Sequence, residues 1–242
     1  PSRLPGPRSF HACTSIGRYL YVVGGNGGAG AEANVWRARI LDPADAPEID
    51  NVGLDVDPEA EPLLAPGRYS YRVSALMPVD DPDNPAGETL AGDPFQIQTP
   101  DIQERITITI AWTPVHGAVG FRVYRTPDPD TPSGNEVLIG ETDGATRAFS
   151  DDGSATPGSE VPLPLGAPGR FAQLPSLNTA REGAGIAQAV DPDDASVVYI
   201  YLLGGRDEAA EGLVSVERLD VQLQADGSQT FATDTRLLGP NQ

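Results

Sequence analysis

Two short stretches, one near each end of the 242-residue chain, decide the fold. They read Tyr19-Leu20-Tyr21-Val22-Val23-Gly24-Gly25 and Tyr199-Ile200-Tyr201-Leu202-Leu203-Gly204-Gly205. Each is an aromatic and aliphatic run of the kind that forms β-strands, and each ends in a glycine pair. Glycine adopts a positive φ without a Cβ clash, so the pair lets the chain leave a crowded strand end. The sequence therefore predicts two copies of one strand-and-turn unit.

The similarity between the two copies extends in both directions from the glycine pairs. Arg8 precedes the first pair as Arg181 precedes the second, and Val35-x-Arg37 follows the first as Val216-x-Arg218 follows the second. The second copy is longer between its arginine and its glycines, and residues 190–196 are predicted to fill this difference as a hairpin tip. These alignments indicate an internal repeat.

The rest of the chain also favours strands over helices. Short runs rich in β-branched and aromatic residues alternate with Gly, Pro, Asp and Asn, and helical periodicity is scarce. This pattern predicts an all-β protein. The predicted strands are residues 12–16, 19–23, 34–40, 68–75, 106–112, 120–125, 136–139, 183–189, 197–203 and 213–223.

The repeated unit resembles a kelch-type repeat, and the resemblance covers residues 1–46 and 166–242. The features that carry it are the opening Arg8 and Arg181, the aromatic Tyr21 and Tyr201, and the glycine pairs Gly24-Gly25 and Gly204-Gly205. It implies a β-propeller of four-stranded blades. A propeller needs at least four blades, so the two copies predict a partial propeller. The resemblance implies that further chain, partners or further copies complete it.

One position departs from the kelch pattern. Trp36 fits the family's tryptophan in the first copy, but Glu217 stands at the corresponding place in the second.

The segment between the copies, residues 47–165, has another pattern. Strict alternation in residues 69–75 and 106–112 predicts half-buried strands of a two-sheet sandwich. Trp112, the Phe121-x-Val123 strand and Gly87-Glu88-Thr89 resemble a fibronectin type III domain. The resemblance implies an inserted immunoglobulin-like sandwich whose strand order is circularly permuted. Two incomplete sandwiches in tandem are the alternative.

Composition excludes several classes of protein. The chain has 35 acidic and 16 basic residues, all of the latter arginine, and its formal charge of -19 argues against a nucleic-acid partner. A single cysteine excludes an internal disulfide framework and a multi-cysteine zinc site. No apolar run reaches the roughly 18 residues of a membrane-spanning helix. The absence of an initial Met and of a signal peptide indicates a mature form or a fragment.

Catalytic motifs are not found. His11 and Cys13 lie two apart on a predicted strand, where a half-buried structural pair is favoured over a thiolate–imidazole or metal site. The glycine-rich residues 24–30 lack the Gly-Lys-Ser/Thr ending of a phosphate loop, and the chain contains no Lys. A Gly-x-Ser-x-Gly elbow is also missing. We therefore expect no enzyme and no organic cofactor.

Calcium is the one cofactor for which the sequence offers candidates. Asp81, Asp83, Asn84 and Glu88 are the nearest approach to an oxygen-rich calcium loop. The competing interpretation is a solvated Asp-Pro loop whose carboxylates accept backbone N–H groups.

These observations predict a non-enzymatic structural, adhesion or assembly component that makes protein–protein contacts on a bacterial surface, filament or virion. We expect it to be secreted, with no membrane insertion. The first alternative is a carbohydrate-binding or carbohydrate-active propeller whose aromatic residues Tyr21, Trp36 and Tyr201 lie near a pocket. An intracellular kelch-type adaptor is the second alternative.

Overall fold

The structure is a computed structural model that describes residues 3–231 and, for the backbone alone, residues 236–238. It is all-β, as predicted, with four antiparallel sheets. Within the described residues the helical content is one 3-10 turn, Pro43–Asp45, and none of it is long and apolar enough to cross a membrane. The chain divides into two compact units, residues 41–169 and the two flanking segments.

The described residues form sixteen strands, which are divided between the two units. The flanking segments contain β1 (Ala12–Ile16), β2 (Tyr19–Val23), β3 (Val35–Arg39), β11 (Ala172–Leu174), β12 (Gly185–Val190), β13 (Val197–Leu203), β14 (Val216–Leu223), β15 (Gln229–Phe231) and β16 (Arg236–Leu238). The central unit contains β4 (Ile49–Asp57), β5 (Gly67–Leu76), β6 (Phe95–Thr99), β7 (Arg105–Trp112), β8 (Gly120–Arg125), β9 (Val137–Asp143) and β10 (Ala148–Asp151).

Sheet 1 of the flanking unit has the order β1-β2-β3-β11. Its fourth strand comes from residues 172–174, which the sequence analysis placed with the second copy. This short stretch has too few residues to show a strand pattern, and only the open edge of β3 selects it. The first copy is therefore closed by chain that follows the central unit.

Sheet 2 repeats this arrangement. Its order is β12-β13-β14-β15, and β14 also pairs with β16. Val35 lies opposite Leu174 in sheet 1, and Val216 lies opposite Leu238 in sheet 2, so both outer strands have the same register. The predicted equivalence of Val35 and Val216 thus extends to the neighbouring strands.

One core joins the two sheets of the flanking unit. Alternate residues of β2 contribute Tyr19, Tyr21 and Val23 from sheet 1. Alternate residues of β13 contribute Val198, Ile200 and Leu202 from sheet 2. Because side chains alternate along a strand, the opposite residues of β13 point away from this core.

The central unit also has two sheets, with orders β10-β7-β4 and β6-β5-β8-β9. Their apolar side chains meet in one core, in which Trp112 is almost fully buried. The Trp112 ring meets Phe121 edge-on, with ring centroids 5.4 Å apart. Burying these large rings supplies much of the apolar area that stabilises this unit.

Strand β4 is not predicted by its own sequence. It reads Ile-Asp-Asn-Val-Gly-Leu-Asp-Val-Asp and is exposed along most of its length. Three aspartates and a glycine disfavour a strand locally, whereas pairing with β7 from Ile49–Trp112 to Asp57–Arg105 imposes one.

Candidate binding surface

The two repeat arginines perform the same task in their respective copies. Arg8 Nη1 donates to the carbonyl oxygen of Gly24 over 2.8 Å, and Arg181 Nη1 donates to that of Gly204 over 2.9 Å. Each guanidinium therefore holds the start of a glycine turn. The alignment of Arg8 with Arg181 thus corresponds to the same hydrogen bond in both copies.

The glycine pairs adopt matching backbone conformations. φ is +59° and +97° at Gly24 and Gly25, and +62° and +94° at Gly204 and Gly205. A Cβ on Gly25 would lie 2.7 Å from the carbonyl oxygen of Ser9. Positive φ and this close approach together explain why glycine stands at the turn.

Glu217 stands where the first copy has Trp36, and it has a different environment. Its carboxylate is fully buried and lies 2.6 Å from Arg181 Nη2, which is also fully buried. It also accepts the backbone N–H groups of Asn178 and Thr179. A buried carboxylate needs such partners, and here they are supplied by the segment that precedes sheet 2.

The outer face of sheet 2 is the main difference between the copies. We define this outer face as Tyr199, Tyr201 and Leu203 of β13 with Arg218 of β14, which adjoins them in register. Its counterpart on sheet 1 is covered by sheet 2, so that Val23 is 1% exposed. By contrast Leu203 is 45% exposed, and both tyrosines are only half-buried.

Small residues extend this outer face. Gly185, Ala187 and Ala189 of β12 lie opposite Leu203, Tyr201 and Tyr199, and all three are exposed. Val214, which precedes β14, is 95% exposed. A contiguous apolar patch bordered by charges is typical of a protein-binding surface.

Charged groups hold Tyr199 in place on the outer face. The Arg218 guanidinium lies 4.1 Å from the Tyr199 ring centroid and bonds the Asp220 carboxylate through two nitrogens, at 2.7 and 3.1 Å. The Tyr199 hydroxyl donates to Asp191. This hydrogen bond lowers the pKa of Asp191 and raises the pKa of Tyr199, so the phenol stays protonated at neutral pH.

The aromatic pocket expected for carbohydrate binding is not assembled from its predicted residues. Tyr21 is fully buried, and its hydroxyl donates to Gln229. Trp36 neighbours Val22 in register and therefore lies on the opposite face of sheet 1. Tyr201 belongs to the outer face of sheet 2. A sugar cannot stack on Tyr21 in this position, so the pocket prediction was wrong for that residue.

The four calcium candidates are engaged in protein hydrogen bonds. Asp81 Oδ1 accepts the backbone N–H groups of Asp83 and Asn84, as expected for a capped loop. Asn84 is buried and donates to the Glu88 carbonyl oxygen. The Glu88 carboxylate accepts from Ser74, Tyr124 and Arg122. Over residues 3–231, no group of three or more His, Cys, Asp or Glu side chains is arranged to hold a metal ion.

The remaining candidates of the sequence analysis lie near the glycine turns. Both His11 and Cys13 are exposed, so the expected half-buried pair was wrong. Asn26 of the glycine-rich loop donates to Glu182 over 2.6 Å. A carboxylate beside this loop makes it unsuited to phosphate.

The central unit contains a buried polar network that was not predicted from the sequence. Asp151 accepts from the Tyr71 hydroxyl at 2.7 Å and from Arg125 Nη1 at 2.6 Å, and all three residues are buried. Burial, together with the Asp151 charge, raises the pKa of Tyr71, so its hydroxyl stays a donor. The sequence signal was present in the strict alternation of residues 69–75, which puts Tyr71 on the core face.

No protein-family model matches the chain, and no curated protein matches it.

Proposed function

We propose that this chain is a non-enzymatic structural, adhesion or assembly component that makes protein–protein contacts at a bacterial surface, filament or virion. The flanking unit is proposed to be a two-blade part of a kelch-type propeller. The central unit is proposed to be an inserted fibronectin type III-like sandwich, and the protein is proposed to be secreted.

The observation that carries this proposal is the exposed outer face of sheet 2. The equivalent face of sheet 1 is covered by sheet 2, whereas Leu203 on the outer face of sheet 2 remains exposed. A repeat that presents an apolar sheet face gains free energy when a protein covers it. A contact function needs this surface and no catalytic group.

Photo-crosslinking tests the proposal. A benzoylphenylalanine replaces Tyr201 in the protein produced by its own cells, and a second variant carries the same group at the exposed Ala209. We expect a covalent protein adduct at position 201 and none at position 209. Equal adducts at both positions would contradict a specific surface. Saturable binding on a glycan array would support the carbohydrate alternative instead.

Labelling of intact cells tests the proposed location. An antibody against the purified chain should label unpermeabilised cells or shed particles. Labelling that appears only after permeabilisation would contradict secretion and favour an intracellular adaptor.

A further inference from the structure

Sheets 1 and 2 each have a second face, and each of these faces corresponds by sequence to one side of the contact between the two sheets. Within the chain, sheet 2 covers sheet 1 with the face that carries Ile200 and Leu202. The same positions of sheet 1, counted back from its glycine pair, are Leu20 and Val22. The face of sheet 1 that carries Leu20 and Val22 therefore corresponds to the face of sheet 2 that covers sheet 1. The outer face of sheet 2 corresponds to the face of sheet 1 that is covered.

We name the face of sheet 1 that corresponds to the covering face its leading face. It consists of Leu20 and Val22 of β2 with Trp36 and Ala38 of β3, and Ile40 directly follows β3. Ala38 corresponds to the buried Leu219 of sheet 2, because Arg37 and Arg218 are aligned. Val22 and Ala38 are buried, whereas Leu20 and Trp36 are half-buried and Ile40 is 37% exposed. The apolar surface that the leading face offers to a partner is therefore that of Leu20, Trp36 and Ile40.

Backbone groups provide a second, independent match. Inside the chain, the Gly25 N–H donates to the Arg181 carbonyl oxygen over 2.9 Å, and the Arg181 N–H donates to Glu32 over 3.1 Å. On sheet 2, the Gly205 N–H corresponds to that of Gly25, and the Leu213 carbonyl oxygen corresponds to that of Glu32. Arg8, which precedes sheet 1, corresponds to Arg181. Among the described residues, no backbone carbonyl accepts the Gly205 N–H. This N–H can therefore make with a second chain the same bond that the Gly25 N–H makes within the chain, by donating to a backbone carbonyl oxygen.

We propose that the outer face of sheet 2 packs on the leading face of sheet 1 in a second copy of this chain, head to tail. The Arg8 backbone of that copy takes the place that Arg181 holds within the chain. This inference rests on the proposed contact function and names its partner. The contact is heterologous, because each copy uses two different surfaces, and it therefore generates rings or open arrays.

Sedimentation velocity of the purified 242-residue chain tests the inference. We expect concentration-dependent association that strengthens with added salt, since salt screens the repulsion between chains of charge -19. Leu203→Asp should weaken association about tenfold or more by removing a central apolar contact. The matched control is Leu165→Asp, since Leu165 is 77% exposed and lies in the central unit. It should associate like the unaltered chain.

Mixing two variants distinguishes head-to-tail pairing from a symmetric dimer. Leu203→Asp keeps its leading face, and Ile40→Asp keeps its outer face. At concentrations where each variant alone is monomeric, an equimolar mixture should form dimers but nothing larger. Failure of the mixture to form dimers would overturn the head-to-tail contact. Far-UV circular dichroism establishes that both variants are folded before they are mixed.

A monomeric unaltered chain at every concentration and salt condition would also overturn the inference. If residue 201 then crosslinked to a different protein, the proposed contact function would be supported and only the self-pairing would be contradicted. If residue 201 captured no protein, the contact function and the self-pairing would both be contradicted.

Discussion

Arg181 and Glu217 form a fully buried ion pair in the flanking unit. The desolvation of two buried charges is offset only while both are present and fully hydrogen-bonded. The geometry meets this condition, because the guanidinium also bonds the Gly204 carbonyl oxygen and the Ser215 hydroxyl. The pair therefore ties the glycine turn of sheet 2 to the strand that follows it.

Arg181→Ala should lower the free energy of unfolding by about 3–5 kcal/mol, because it leaves the Glu217 carboxylate buried without its counter-charge. Urea unfolding, followed by Trp36 fluorescence in a Trp112→Phe background, measures the change. The exposed Arg206→Ala is the control and should change stability by less than about 0.5 kcal/mol. An equal loss in both variants would argue against the buried pair. The double variant Arg181→Met/Glu217→Met should be more stable than Arg181→Ala alone.

Glu136 makes the central unit sensitive to acid. Its buried carboxylate accepts from Ser70 at 2.7 Å, from Ser133 at 2.9 Å and from the Gly134 N–H at 2.9 Å. Burial acts to raise the pKa of Glu136, but these hydrogen bonds outweigh it and lower that pKa below its usual 4.5. Ionised Glu136 therefore stabilises the folded state at pH values above the usual pKa of a glutamate. This stability is lost as the pH falls through the lowered pKa of Glu136.

Glu136→Gln should make the loss of stability between pH 7 and pH 3 less steep. The measurement is the urea midpoint between pH 3 and pH 7, followed by Trp112 fluorescence in a Trp36→Phe background. The exposed Glu61→Gln should retain the slope of the unaltered chain. A Glu136→Gln profile that is as steep as the control would contradict the assignment.

At the scale of elements, the glycine turn between β2 and β3 depends on close approach as much as on backbone conformation. Gly25 and Gly28 have nearly the same φ, +97° and +92°. A Cβ on Gly25 would meet the Ser9 carbonyl oxygen and the side chain of Arg8, whereas nothing lies within 4 Å of a Cβ on Gly28. The two positions therefore separate steric clash from backbone strain.

Gly25→Ala should cost more stability than Gly28→Ala. Backbone strain alone amounts to about 1–3 kcal/mol at either position, and Gly25→Ala adds a clash with the Ser9 backbone. Thermal unfolding monitored by circular dichroism compares the two variants. Equal melting temperatures would mean that the clash relaxes without cost.

Several strands were predictable because their local signal is strong. β2, β8 and β13 begin and end where the sequence analysis placed them. Their β-branched and aromatic runs are bounded by glycine or turn residues, so local preference and tertiary pairing agree. β4 and β11 were not predictable, because only a neighbouring strand edge stabilises their weak local sequences.

At the scale of the whole molecule, the central unit is inserted between two strands that pair with each other. β3 and β11 are antiparallel neighbours with Arg37 opposite Ala172, and further along the chain the Leu41 N–H donates to the Ala167 carbonyl oxygen over 3.1 Å. The chain therefore leaves and re-enters the flanking unit at one hairpin position. Insertion at such a site is tolerated because both ends are close together.

Replacement of residues 42–166 by Asn-Gly should give a folded flanking unit, because Leu41 and Ala167 already share a backbone hydrogen bond. Asn-Gly forms the tight turn that suits two antiparallel strands, and the register of β3 and β11 is retained. A β-type circular dichroism spectrum and a cooperative unfolding transition would support this outcome. A disordered product would show that sheet 1 needs the central unit. The control linker Pro-Pro cannot form this turn and should destabilise the product.

The all-β class, the similarity of the two ends and the glycine turns follow from the sequence, because they depend on local preference and on residues with unique backbone freedom. Which sheet faces are closed depends on tertiary packing. Tyr19 and Tyr199 occupy the same place in similar strands, yet one is buried and the other is half-exposed. Alternation assigns a side chain to a face, but burial depends on whether another sheet covers that face. The outer face is therefore a property of the assembled sheets, and it carries the proposed contact.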